Sequence, residues 1–204
     1  MEEFFKKYPT VSKIIREHKV ISSPQRISML PQLFDDPKEM LEFYNFHKNL
    51  EPIEHPYPGA DLVSTENSYL VVDHALKQVV YFMEWTTRHI LNRVAAYQVM
   101  VWSDPAVDEI RGYAPKVFFK HLFHVADLVC TDEQQTKDGE RFWGSVIKTA
   151  YKNALHVYLY DASSEAIREI PNWETFNAQE RRSEIWGDTP KFLDRLLLIS
   201  QDPL

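Results

Sequence analysis

The spacing of apolar and polar positions divides the chain into short helix-like and strand-like runs. Over Glu2–Lys19, Phe4, Phe5, Val11, Ile14 and Ile15 recur among charges, which predicts an amphipathic helix interrupted or restarted at Pro9. Val20–Leu33, carrying Ile27, Met29 and Leu30, reads as a strand. Asp36 before Pro37 supplies an N-cap and a first-turn residue, so a helix is predicted through about Leu50 with Met40, Leu41, Phe43 and Tyr44 on its apolar face. Glu51–Gly59 holds three prolines and reads as loop.

Beyond Gly59 the period shortens. Tyr69–Asp73 and Val79–Trp85 are apolar, β-branched and aromatic, and His74–Gln78 between them is short enough for a hairpin. Ala95–Trp102 is a third such run, closed by Ser103-Asp104-Pro105. A helix is predicted over Pro115–Ala126 from Val117, Phe118, Leu122 and Val125, and Leu128–Cys130 is a short buried strand. Asp138 caps a long helix carrying Phe142, Val146, Ile147, Ala150 and Tyr151 on one face; His156–Tyr160 and Leu196–Ile199 return as strands around a Trp-rich loop. Strands alternating with helices over short distances call for crossover units. The predicted fold is α/β (α+β), a central mixed antiparallel and parallel sheet flanked by helices. One domain is expected over residues 1–204, with 1–20 as a helical extension.

Composition narrows the function classes. Hydrophobic residues make up 44% and aromatics 13% of 204 residues, enough for a real core and too aromatic for a disordered chain. The formal charge of −7, with no long Lys/Arg run, argues against nucleic-acid binding, where phosphate neutralisation supplies most of the affinity. A single cysteine, Cys130, rules out an internal disulfide framework and suits a reducing compartment. With no secretory h-region at the N-terminus and no apolar run near the length of a bilayer span, the cytoplasm is the expected location.

Several catalytic patterns are absent: there is no Gly-x-Ser-x-Gly, no Walker loop and no dinucleotide fingerprint. His121-x-x-His124 lacks the Glu and third ligand of a zinc protease, so no metal is expected there. Cys130 sits inside an apolar strand and reads as a structural thiol. Asp132, Gln134 and Thr136 follow that strand and are candidates to line an acceptor pocket, since ligands favour the carboxyl ends of strands; helix capping by Thr136 or Asp138 is the alternative. Trp173, Phe176 and Trp186 read as core, or as a lid or partner surface.

The most informative stretch is Glu109-Ile110-Arg111-Gly112-Tyr113-Ala114. Small residues such as Gly112 and Ala114 let a backbone approach a pyrophosphate closely, a helix N-terminus favours its charge, and Arg111 or Lys116 adds cations. An ordinary turn into a helix, with Pro115 in its first position, fits the same residues. With the strand order, this stretch resembles the acyl-CoA pyrophosphate loop of the GNAT (Gcn5-related N-acetyltransferase) superfamily, Gln/Arg-x-x-Gly-x-Gly/Ala, with Glu109 at the opening position. The resemblance implies an acetyl-CoA or other acyl-CoA co-substrate, its pantetheine arm on main-chain atoms near Val99 and Val101 and its pyrophosphate on Arg111, Gly112, Tyr113, Ala114 and Lys116. It also implies Tyr151 as the acid that protonates the leaving thiolate and Glu84 as the base, with Asp104 as an alternative. The acceptor implied is the amine of a small molecule or protein. A GNAT-shaped, non-catalytic binding or inhibitory protein acting through protein–protein contacts remains the other reading, with a protein partner or a homodimer as its assembly.

Overall fold

Asp36 starts the first helix among the described residues because its carboxylate accepts the N–H of Lys38 at 2.8 Å and of Glu39 at 3.5 Å, while Pro37 brings no N–H that needs a partner. The computed structural model describes residues 36–131, 137–178, 185–186 and 195–204. The strand expected at Val20–Leu33 and the helix at Glu2–Lys19 lie outside them. The architecture is α/β, with a mixed sheet flanked by helices.

Helix α1 (Pro37–His47) is followed by five strands: β1 (Pro52–Tyr57), β2 (Ala60–Ser64), β3 (Ser68–Asp73), β4 (Gln78–Ile90) and β5 (Arg93–Ser103). The stretch expected as loop therefore holds a strand, β1. It pairs antiparallel with β2 across two register breaks, between Pro52 and Glu54 and between Glu54 and Tyr57, and prolines survive in such a strand because little of its ladder is built. Gly59, at φ +84°, makes the turn that returns the chain into β2. Between β4 and β5, Leu91 and Asn92 both take positive φ (52° and 60°), the backbone of a two-residue hairpin turn.

The described residues gather into two compact units. The first holds α1, β1 to β3, β4 as far as Trp85, and Val99–Tyr113. Its strands pair in the order β1-β2-β3-β4, all antiparallel. Val71 faces Tyr81 and Val72 faces Val79, so Val80 is an extra residue on β4. That bulge resets the alternation and puts Val79 and Phe82, three positions apart, on one face. There they meet Leu70, Val72, Val63 and the Met40, Phe43 and Tyr44 side chains of α1.

The second unit holds Thr86–Gln98 and the described residues from Ala114 onward. It contains α2 (Ala114–Lys120), β6 (Leu128–Cys130), α3 (Lys137–Lys152), β7 (His156–Asp161), β8 (Ala166–Glu169), α4 (Trp173–Asn177) and β9 (Arg195–Ser200). The helix expected over Pro115–Ala126 ends at Lys120 and gives way to one 3-10 turn, Leu122–His124. β5 pairs parallel with β6, matching Ala95 to Leu128 and Tyr97 to Cys130. β9 lies antiparallel between β6 and β7, and β8 pairs with β7. One face of this sheet buries Leu128, Cys130, Tyr158, Tyr160, Leu196 and Leu198. Helix α3 packs against β7, α2 and α4, with Trp143 edge-on to Phe118 at 5.6 Å between ring centroids.

His47 closes α1 from inside the core: it is 4% exposed and its Nδ1–H donates to the Phe43 carbonyl at 2.8 Å. Burial lowers its pKa, and the carbonyl hydrogen bond only partly offsets that. The unfolded chain therefore takes up this proton before the folded one does. Stability is full above about pH 6.5 and falls as the pH drops through the lowered folded value. Urea unfolding from pH 8 to 5 is expected to show this loss in the wild type and a flatter profile in His47→Gln.

Candidate functional site

Side-chain polar groups of the first unit converge where β1, β2 and the β3–β4 turn meet. The Asp61 carboxylate accepts from His55 Nδ1 at 2.7 Å with one oxygen and from His74 Nε2 at 2.8 Å with the other. The second nitrogen of His74 faces the Tyr44 hydroxyl of α1 at 3.4 Å. Pairing of Ala60 with Asp73 brings these groups together, since it sets Asp61 beside the turn that carries His74. Burial pushes the Asp61 carboxyl up, but the His74 and His55 hydrogen bonds outweigh it and hold the pKa below the ordinary value. Asp73 accepts from the Tyr57 hydroxyl at 2.8 Å and from the Leu76 N–H at 2.8 Å. Tyr57 is held protonated by burial, by that hydrogen bond, and by the charges of Asp73, Glu109 and Asp104. Asp104 accepts from Gln78 Nε2 at 3.2 Å and from the Ala106 N–H at 2.8 Å.

The pattern of apolar positions gave no sign of the His55–Asp61–His74 chain. The signal lies in the pairing of β2 with β3, and β2 was not predicted. Chemically the chain can pass a proton between an imidazole and the carboxylate. Structurally it ties β1, β2, the β3–β4 turn and α1 together.

The predicted phosphate loop is a 3-10 turn, Asp108–Ile110, followed by Arg111, Gly112 and Tyr113. Gly112 is exposed at φ +71°, and a Cβ there would meet nothing within 4 Å. Arg111 is exposed and pairs with Asp108 at 2.6 Å. Its N–H donates to the Asp108 carbonyl at 3.0 Å, and the Tyr113 N–H donates to the Ile110 carbonyl at 2.9 Å. Tyr113 is buried edge-on to Tyr81, with ring centroids 5.8 Å apart. Ala114 and Pro115 are buried and Lys116 is exposed, at the start of the seven-residue α2.

The other predicted residues are distributed through both units. Tyr151 lies near the end of α3, half-buried, and its hydroxyl donates to the Ile170 carbonyl at 2.7 Å. Burial, then the Glu169 charge, raises its pKa. Glu84 is 8% exposed on β4, in register with Ser68 of β3. Val99 and Val101 lie on β5, and Val101 is half-buried. Cys130 is fully buried within β6. His121 is half-buried and His124 exposed. Among the described residues no three His, Cys, Asp or Glu side chains form a metal-binding group, and no helix is long and apolar enough to cross a membrane. Asp132, Gln134 and Thr136 lie outside the described residues.

No protein-family model, curated protein or solved structure matches this chain.

The depressed Asp61 pKa has a consequence for stability. Because the folded value lies below the unfolded one, the contribution is full above about pH 4 and is lost as the pH falls through the folded value. Asp61→Asn is expected to weaken the fold at neutral pH and to flatten the acid limb of a thermal-unfolding profile between pH 5 and pH 2.5. An acid limb identical to that of the wild type would show that the two histidines do not hold this carboxylate.

Proposed function

We propose that the chain transfers an acyl group from acyl-CoA to an amine acceptor, as the GNAT resemblance implies. The observation that carries this reading is the parallel pairing of β5 with β6 over Ala95–Tyr97. At Thr131, just past β6, the hydrogen bonds go to β9 instead: the Thr131 N–H donates to the Leu197 carbonyl at 3.0 Å and Thr131 Oγ1 accepts the Leu197 N–H at 3.0 Å. Carboxyl ends of parallel strands are where α/β sheets bind ligands.

In this reading main-chain groups of Val99 and Val101 take the pantetheine arm. Gly112 to Ala114, with Arg111 and Lys116, take the pyrophosphate. The amine nitrogen attacks the thioester carbonyl carbon, a C–N bond forms as the C–S bond breaks, Glu84 accepts the amine proton and Tyr151 protonates the thiolate. A phenol kept protonated by burial suits that acid role, provided its proton swings from the Ile170 carbonyl to the sulfur.

The exposed Arg111–Asp108 pair supports the assignment of Arg111. Exposed pairs contribute about 0–1 kcal/mol, so a diphosphate displaces the single carboxylate at little cost. One observation favours the second reading, a GNAT-shaped domain acting through protein contacts. The Arg111 and Tyr113 amides are spent on carbonyls of the loop itself, and Pro115 has none to offer.

Calorimetric titration with acetyl-CoA and longer acyl-CoAs distinguishes the two. Gly112 has a left-handed backbone that Asn and Asp both tolerate, so Gly112→Asn and Gly112→Asp differ mainly in charge. The expected result is donor binding by the wild type and by Gly112→Asn, and binding about tenfold weaker or worse in Gly112→Asp. No heat from the wild type at high micromolar donor overturns the acyltransferase reading in favour of the second.

A further inference from the structure

Gly144 sits inside α3, and no neighbour demands a glycine there, since a Cβ placed on it would meet nothing within 4 Å. Glycine is the least favourable residue after proline in a helix interior, so the position carries a cost that packing does not explain. What the missing side chain leaves is space. In the second unit a cavity of about 360 Å³ opens over Gly144 and Ser145, between α3, α4 and Trp186. The other side of the helix is the packed one, where Trp143, Val146, Ile147 and Ala150 are buried.

Three aromatic side chains line this space. Asn172 caps α4 by accepting the Thr175 N–H at 2.8 Å, and the short helix carries Trp173 and Phe176, with ring centroids 5.4 Å apart. Phe176 is 2% exposed, whereas Trp173 and Trp186 are half-buried, so both indoles keep surface that the protein itself does not cover. Trp173 is held by two neighbours, the Phe176 ring and the Lys148 ammonium, whose Nζ lies 5.6 Å from the indole centroid. A wall already in position costs a ligand little ordering. The volume is at the lower end of pockets that hold small molecules, which are typically about 300–1,000 Å³, and so suits one or two rings.

We propose that this cavity binds the flat aromatic ring of a small molecule, at a site independent of the acyl-transfer reading. The ring packs against Trp173 and Trp186 over Gly144, in the space that a larger residue at that position would fill. Selection for a flat ring over a saturated one follows from the wall. Ring pairs add attraction beyond the area they bury, because the electron-poor edge of one meets the electron-rich face of the other. A saturated ring of the same size has only its area to offer.

Two uncharged alcohols of equal heavy-atom count test this by ligand-observed NMR titration: benzyl alcohol, which is flat, and cyclohexylmethanol, which is saturated and the more hydrophobic of the two. Burial of apolar area alone favours the saturated alcohol, so the comparison is a strict one. Benzyl alcohol is expected to bind about fivefold tighter. Gly144→Leu projects into the cavity and is expected to abolish that binding, whereas Gly144→Ala, which leaves most of the space open, is expected to retain it. Ser145→Leu, which also lines the cavity, is a second blocking variant should Gly144→Leu fail to fold. Trp173→Leu is expected to remove the preference for the flat ring. Thermal unfolding of each variant confirms that it is folded. The proposal is overturned by undiminished binding in a folded blocking variant, by cyclohexylmethanol binding as tightly as benzyl alcohol, or by no benzyl alcohol binding at about 10 mM. A failure of acyl-CoA binding leaves this result untouched, since no residue is shared between the two sites.

Discussion

A strand that runs parallel to its neighbour cannot be reached by a tight turn, and the pairing of Ala95–Tyr97 with Leu128–Cys130 places that constraint on the middle of the chain. The start of the pair is locked in both directions. The Val94 N–H donates to the Asp127 carboxylate at 2.9 Å, and the Asp127 N–H donates back to the Val94 carbonyl at 2.8 Å. Everything between these points is a crossover, so the Asp108–Ile110 turn, Gly112 and α2 are consequences of a parallel partner three residues long. β6 in turn has β9 on its other side, which explains why Leu128, Val129 and Cys130 are all fully buried.

Where local chemistry and burial agreed, the sequence was enough to place an element. α1 was legible because Asp36 and Pro37 mark its start, and β6, β7 and β9 because continuous apolar runs between polar stretches have few other places to go. Several of the misses, though not β2, have a common cause. β1 contains two of the prolines that read as loop, β8 is exposed at every residue, and the end of β4 and the start of β5 carry Thr86, Thr87, Arg88, His89 and Arg93 in place of apolar residues. These segments are strands because a neighbour pairs with them, not because their own side chains demand it. The predicted helix over Pro115–Ala126 failed in the opposite sense. Of its four apolar positions Val117, Phe118 and Leu122 are buried and Val125 is exposed, because the α-helix ends at Lys120 and a 3-10 turn begins at Leu122.

The candidate site was less legible than the fold because its residues act through partners far away in sequence. Tyr151 falls on the predicted helix, yet its proton is directed by the Ile170 carbonyl, nineteen residues on. Asp61 has no local feature that separates it from any other surface carboxylate until β2 pairs with β3 and turns it toward His74. Gly112, by contrast, could be singled out from sequence alone, and its φ of +71° gives the backbone reason for a glycine there.

The loop that contains Gly112 has an unusual division of labour. A phosphate cradle normally draws on several amide N–H groups, but here the amides of Arg111 and Tyr113 close the loop on itself and Pro115 has none. Any anion held at this place must therefore rely on the Arg111 and Lys116 side chains more than on the backbone. Both are exposed, and exposed charges are screened over about 8 Å at physiological ionic strength. Affinity of that origin falls steeply with salt, and the net charge of −7 works against it at long range. A cradle of neutral amides would depend less on salt, although the net charge would act on its anion all the same. If the loop takes a diphosphate as proposed, the salt dependence of binding separates a backbone pocket from a pair of exposed cations beside a self-contained turn.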